Sequence, residues 1–273
     1  MQYMHFNSSC SFCGVANLLE LQGREITDEA LFRAMRADIL LHYEEKEGCW
    51  QTGAMLQSGV WFDLALKSMG FRLEEHTAGV EEIVSILPPP FMVGLRTTGK
   101  GRHAMLLLTR EGNTLTFLNP HREGDGEEDT ITLSTAVCAE RLEPASVVGR
   151  LVASDVTQVD FLPHLKKALG NWHQYQEVLL DYIGKCHTVN EIRIQMDPLF
   201  RPLLLDAVEG ARICGYMEQE ERLKKLQRQF LNSLRQEEPA CLSEVLDKRE
   251  LSAAFDFYFS RLETLIHEEK GQR

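Results

Sequence analysis

Apolar positions in the first half of the chain change period several times, whereas those in the second half keep one. Residues 13–21 carry apolar side chains at helical spacing and stop before Gly23, a residue suited to the left-handed position that ends a helix. Thr27-Asp28-Glu29 supplies a cap and an acidic first turn for a second helix through Met35 or beyond. Residues 58–69 are amphipathic, with Val60, Leu64 and Met69 among the apolar positions. Between them, Gly48-Cys49-Trp50-Gln51-Thr52-Gly53 reads as a loop placed to lie across a cleft.

The period then shortens. A strand runs from Phe71 to Glu75, a short helix covers 80–87, and Pro88-Pro89-Pro90 cannot be helical and leads into a strand over 91–95. Two apolar runs, 103–108 and 114–118, flank Glu111-Gly112-Asn113 as a β-hairpin. The acidic stretch 123–129 reads as a solvated turn, and 130–134 and 146–152 as strands. Beyond that the texture is helical over 161–183, 198–214, 219–235 and 242–267, with a Leu223-Leu226-Phe230 stripe that reads as core. The pattern predicts an α+β domain over 1–150 and a bundle-like helical domain over 151–273.

Candidate chemistry lies at the start of the first helix and in the hairpin. Asn7-Ser8-Ser9-Cys10-Ser11-Phe12-Cys13-Gly14 puts a cysteine just ahead of a helical run. There the unpaired backbone N–H groups and the positive end of the helix dipole favour a thiolate, the nucleophilic form. His103 opens the first hairpin strand and Asn119 closes the second, so antiparallel pairing brings them to one end of the hairpin, where an amide can orient an imidazole. Cys13, His103 and Asn119 are therefore the candidate nucleophile, base and orienting residue.

Phe12-Cys13-Gly14-Val15-Ala16-Asn17-Leu18-Leu19, Gly99-Lys100-Gly101-Arg102-His103-Ala104-Met105 and Phe117-Leu118-Asn119-Pro120 resemble the C39-like branch of the papain-fold cysteine peptidases. Phytochelatin-synthase-type transpeptidases share a similar Cys-Gly opening. The resemblance covers about residues 1–145. It implies a papain-like fold, an N-terminal helix packed on an antiparallel sheet, and thioester chemistry at Cys13 on an amide or peptide. It also implies an oxyanion donor about six residues before the nucleophile. The family uses glutamine there and this chain has Asn7; its third triad residue is more often Asp, and this chain has Asn119. A helical half after a papain-like half also resembles the butirosin-biosynthesis H-type acyltransferases, which move an acyl group from a carrier protein to an amine. In those a histidine precedes the cysteine, where this chain has Phe12. A degenerate papain-fold protein that binds a peptide without cleaving it is the non-enzymatic alternative.

Cys10 and Cys13 also form a C-x-x-C. A redox pair wants a preceding strand, and a zinc site wants a second ligand pair that Cys186-His187 and His5 do not form in any regular pattern. Cys10 reads as a loop thiol near the site, able to form a disulfide with Cys13 on oxidation. The net charge of −12 opposes general nucleic-acid binding and is compatible with a cationic peptide or amine substrate. No run of eighteen apolar residues predicts a membrane span, and no motif calls for a cofactor or metal. Seven cysteines without a regular framework, and no visible secretory signal, fit a reducing cytoplasm.

Overall fold

The computed structural model describes residues 1–97, 101–235 and 240–271, so Gly99 and Lys100 of the histidine motif lie outside the described residues. It is α+β, and the chain divides into two compact units. The first comprises Met1–Met35 and Gln57–Val159, the second Arg36–Leu56 and Asp160–Arg273.

In the first unit, α1 (Cys10–Glu20) begins three residues earlier than its apolar run predicts, directly after Ser9. Nearly every residue of α1 is buried, and Phe12 meets Phe6, Phe32 and Phe62 at ring-centroid separations of 5.5, 5.8 and 5.0 Å. Such aromatic pairs add about 0.5–1.5 kcal/mol each beyond the area they bury. Phe32 lies on α2 (Asp28–Ala34), whose N-cap Thr27 accepts the Ala30 N–H at 3.1 Å, as the sequence predicts. Phe62 lies on α3 (Gly59–Leu66).

The hairpin β1 (Leu41–Glu44) and β2 (Cys49–Thr52) belongs to the second unit. The sheet of the first unit has six strands: β3 (Phe71–Gly79), β4 (Phe91–Arg96), β5 (Arg102–Glu111), β6 (Thr114–Leu118), β7 (Thr130–Ser134) and β8 (Ala145–Ala153). Their order is β3-β8-β4-β5-β6-β7, antiparallel throughout. The last strand in sequence is thus inserted between β3 and β4. One face of the sheet carries Phe91, Val93, Leu95, Met105, Leu107 and Val148 into a core closed by α4 (Thr135–Arg141), through Cys138 and the partly buried Ala139. The alternate positions, among them Met92 and Leu106, face α1, where Met92 leaves no room for a Cβ at Gly14.

The second unit contains α5 (Leu162–Ile183), the short β9 (Cys186–His187), α6 (Val189–Ile194), α7 (Ala207–Cys214), α8 (Met217–Ser233), β10 (Ala240–Cys241), α9 (Leu242–Val245) and α10 (Lys248–Gly271). The predicted helix over 198–214 is regular only in α7. Before it the chain makes wide helical turns, Met196–Phe200 and Pro202–Asp206, where Pro198 and Pro202 have no N–H to give to a regular helix. Segment 36–56, expected within the first domain, packs in the second unit instead. Trp172 Nε1 donates to the Ile39 carbonyl at 2.8 Å, Asn171 Nδ2 to that of Leu41 at 2.7 Å, and Trp50 contacts the Tyr175 ring. Gly48–Gly53 is therefore part of a helix-supported hairpin. Cys186 and Cys241 form a disulfide, so the thiols are not all reduced as expected. Among the described residues no helix is long and apolar enough to cross a membrane, and no cluster of ligands could hold a metal ion.

Candidate active site

The start of α1 is open. Its N-cap Ser9 gives its hydroxyl to the Phe6 carbonyl at 2.8 Å and caps no N–H of the first turn, and no acidic residue occupies that turn. The first intrahelical bond runs from Cys13 N–H to the Ser9 carbonyl, at 2.8 Å. The N–H groups before Cys13 are therefore the unsatisfied donors of a helix start, and Cys10 stands among them.

The thiol beside His103 is that of Cys10. Burial alone would raise the Cys10 pKa. A hydrogen bond with His103, the Ala104 N–H, the imidazolium charge and the Ser11 N–H together outweigh it and hold the thiol below its ordinary value. Burial likewise works against protonation of His103. The Cys10 hydrogen bond and charge, the Pro120 carbonyl and the Glu127 charge reverse it and raise the imidazole. His103 Nε2 is buried and makes no hydrogen bond among the described residues.

Cys13 occupies different surroundings. It is fully buried, its Sγ donates to the Gln2 carbonyl at 3.0 Å, and Asn17 Nδ2 lies 3.4 Å from the sulfur. Burial first, then the charges of Asp28 and Cys10, push its thiol far above the ordinary range; the Asn17 hydrogen bond offsets only part. The expectation of a helix-start thiolate at Cys13 thus meets a helix that begins at Cys10. One turn in, the backbone N–H is already bonded and the side chain points into the core. Asn17 completes this arrangement by binding Gln2 at both N–H (2.8 Å) and carbonyl (3.1 Å), which fastens the N-terminal segment along α1.

Asn119 and Asn7 lie near the hairpin end, each held by residues that follow it. The β5–β6 ladder ends with Leu106 opposite Leu118, so Asn119 continues level with Met105, two residues past His103. Asn119 is buried, and its Nδ2 donates to Glu127 Oε2 at 3.0 Å and to the Glu128 carbonyl at 3.1 Å; no hydrogen bond joins it to His103 among the described residues. Asn7 is exposed and its Oδ1 accepts from Arg122. Residues 123–129 are exposed as expected, yet they are tied to the site by more than solvation. Besides Glu127 on Asn119, Asp125 and Asp129 each lie 3.0 Å from a ring nitrogen of buried His121.

Sequence reasoning missed three groups. Ser8-Ser9 is a cap signal that points to a helix starting at Cys10. Gln57 accepts from Ser11 Oγ at 3.1 Å and donates to the Ser8 carbonyl at 3.3 Å, bracing the first turn; no local pattern marks it. Glu127 is one acid in an acidic run, and nothing in that run singles it out.

No family model matches the chain, and no curated protein matches it. Among solved structures, it is similar to the peptidase domain of Streptococcus ComA, a bifunctional ABC transporter involved in quorum sensing. The sequence identity is 13% and the TM-score 0.40, over 54% of this chain and 96% of that one.

Proposed function

We propose that the first unit carries out thiol-dependent acyl transfer at an amide bond, with Cys10 as nucleophile and His103 as general acid and base. The observation that carries this reading is the Cys10–His103 pair at an uncapped helix start, where both partners favour their charged forms. The Cys10 thiolate attacks the amide carbonyl carbon and a C–S bond forms. Backbone N–H groups of the first turn of α1 are the donors available to the oxyanion. As the tetrahedral species collapses the C–N bond breaks, and the imidazolium gives its proton to the leaving amine. Water then attacks the thioester while His103 accepts its proton, which releases the carboxylic acid and restores the thiolate. An amine in place of that water gives a transferase by the same acyl-enzyme. Asn119 holds Glu127, whose charge supports that of the ring from a distance, and makes no hydrogen bond to His103 among the described residues.

Intact-mass analysis after brief iodoacetamide treatment at pH 6 tests the pair. One fast adduct is expected, absent from Cys10→Ala, strongly slowed in His103→Ala and retained in Cys13→Ala. Slow, even labelling of the free cysteines would sink the reading, as would an adduct that disappears only with Cys13.

A further inference from the structure

A cavity of about 180 Å³ opens beside Cys10, on the sheet face turned toward α1. Its floor is low because two of the inward positions are glycine, Gly94 on β4 and Gly149 on β8. A Cβ at Gly149 would stand 3.4 Å from Leu73 and 3.5 Å from Met92; one at Gly94 would stand 3.5 Å from Arg102 Cδ. Glu75 of β3, paired with Gly149 in the ladder, lines the cavity from one side. Arg102 of β5 lines it from the other, with its stem lying over Gly94.

Neither side chain forms an ion pair among the described residues. Glu75 Oε2 accepts the Gly59 N–H at 2.7 Å, but no cationic side chain pairs with it among the described residues. Burial raises its pKa, the Gly59 bond offsets part of that, and nearby Asp63 adds to it. Arg102 has no carboxylate partner among the described residues, since Glu143, the acid whose charge it feels, is bound by Arg96 through two contacts of 2.8 Å. The strand order explains why the two do not neutralise each other. With β8 and β4 between them, their backbones stand three strand spacings apart across the sheet, about 14 Å, and four residues apart along it, since Glu75 is level with Leu106; the Arg102 stem spans part of that separation.

We infer that this cavity binds a dipeptide-sized amide carrying both a free ammonium and a free carboxylate. The ammonium lies against Glu75, the carboxylate against Arg102, and the amide carbonyl beside Cys10. This rests on the Cys10 reading for the chemistry that follows, not for binding. Both side chains are exposed at the rim of the cavity, and each charged end of such a ligand meets an oppositely charged group there through a charge-assisted hydrogen bond, the stronger kind. A ligand capped at either end leaves one wall charge unmatched.

The test is calorimetric titration of the Cys10→Ala protein, which cannot turn substrate over, with dialanine, N-acetyl-dialanine and dialaninamide. Dialanine is expected to bind at least tenfold more tightly than either capped peptide. Glu75→Gln, which keeps an acceptor for Gly59, should abolish its margin over N-acetyl-dialanine alone. Arg102→Gln should abolish its margin over dialaninamide alone. Equal affinity for the three peptides overturns the inference, as do margins that neither substitution changes. If the margins hold while wild-type Cys10 proves unreactive, the binding inference stands and the nucleophile reading falls.

Discussion

The first turn of α1 and the turn that follows hold two cysteines three residues apart, and the protein does opposite things with them. At Cys10 the hydrogen-bond donors outnumber the acceptors: Ser11 N–H, Ala104 N–H and His103 converge on one sulfur. At Cys13 the sulfur is itself the donor, to the Gln2 carbonyl, in a dry interior near the negative charge of Asp28. The first setting lowers the thiol's pKa and the second raises it. Helix position sets the two thiols apart: one lies in the open first turn beside His103, the other one turn further in, inside the core.

The largest expected effect separates the two cysteines outright. Cys10→Ala should remove all rapid alkylation at pH 6, while Cys13→Ala should keep the rate within a factor of about two when read by mass on protein still folded. Next in size is His103→Ala. Without the imidazole, only the Ala104 and Ser11 N–H groups oppose burial, the Cys10 pKa rises, and the alkylation rate at pH 6 should fall by about tenfold or more, with a smaller change at pH 9.

The comparison is sharpened from the other side by stability. Asn17→Ala removes the group that binds both ends of the Gln2 peptide unit, and should lower unfolding free energy by about 1–3 kcal/mol in urea without altering alkylation at pH 6 to a similar degree. A smaller effect is expected from Glu127→Gln. It keeps the bond that Asn119 donates but removes a charge that raises His103, so the lower limb of the alkylation pH profile should shift by a few tenths of a unit, with a rate change of only a few-fold. An unchanged profile would mean that exposed Glu127 is screened by solvent.

The smallest effect concerns His121, which lies between Asp125 and Asp129 and whose carbonyl accepts the Met4 N–H at 2.8 Å. Burial disfavours its charge, yet the Arg122 carbonyl and the two carboxylates raise its pKa above the ordinary value. A group raised in the folded state contributes stability that is fully present below the unfolded pKa, near 6.5, and is lost as pH rises through the folded value. Urea midpoints should therefore decline modestly as pH rises above about 6.5 in the wild type, and more shallowly in His121→Gln.

Much of this was legible in the sequence, and the misses have physical reasons. The Thr27 cap, the hairpin around Gly112-Asn113, the strand after the prolines and the long helix over 161–183 all follow from local pattern, because local hydrogen bonding decides them. The position of His103 at the start of β5 follows in the same way. The choice between Cys10 and Cys13 turned on where the helix begins, and the apolar run masked the cap signal of Ser8-Ser9. The attachment of 36–56 to the helices depends on Trp50, Tyr175, Asn171 and Trp172, more than a hundred residues apart in sequence, and no local period reports it. The disulfide was equally hidden, since Cys186 and Cys241 are separated by 55 residues and lie in no recognised spacing.

The discontinuity of the second unit orders the folding of the chain during synthesis. All residues of the first unit exist once Val159 has been added, so its sheet, with β8 as the last strand inserted, can close while the rest is still being made. Segment 36–56 cannot join its own unit at that stage. Until α5 follows, Trp50 lacks the Tyr175 ring and the Ile39 and Leu41 carbonyls lack their donors. For the time it takes to add some hundred residues, the hairpin is an apolar segment without its partner, the kind of exposed surface from which misassembly starts.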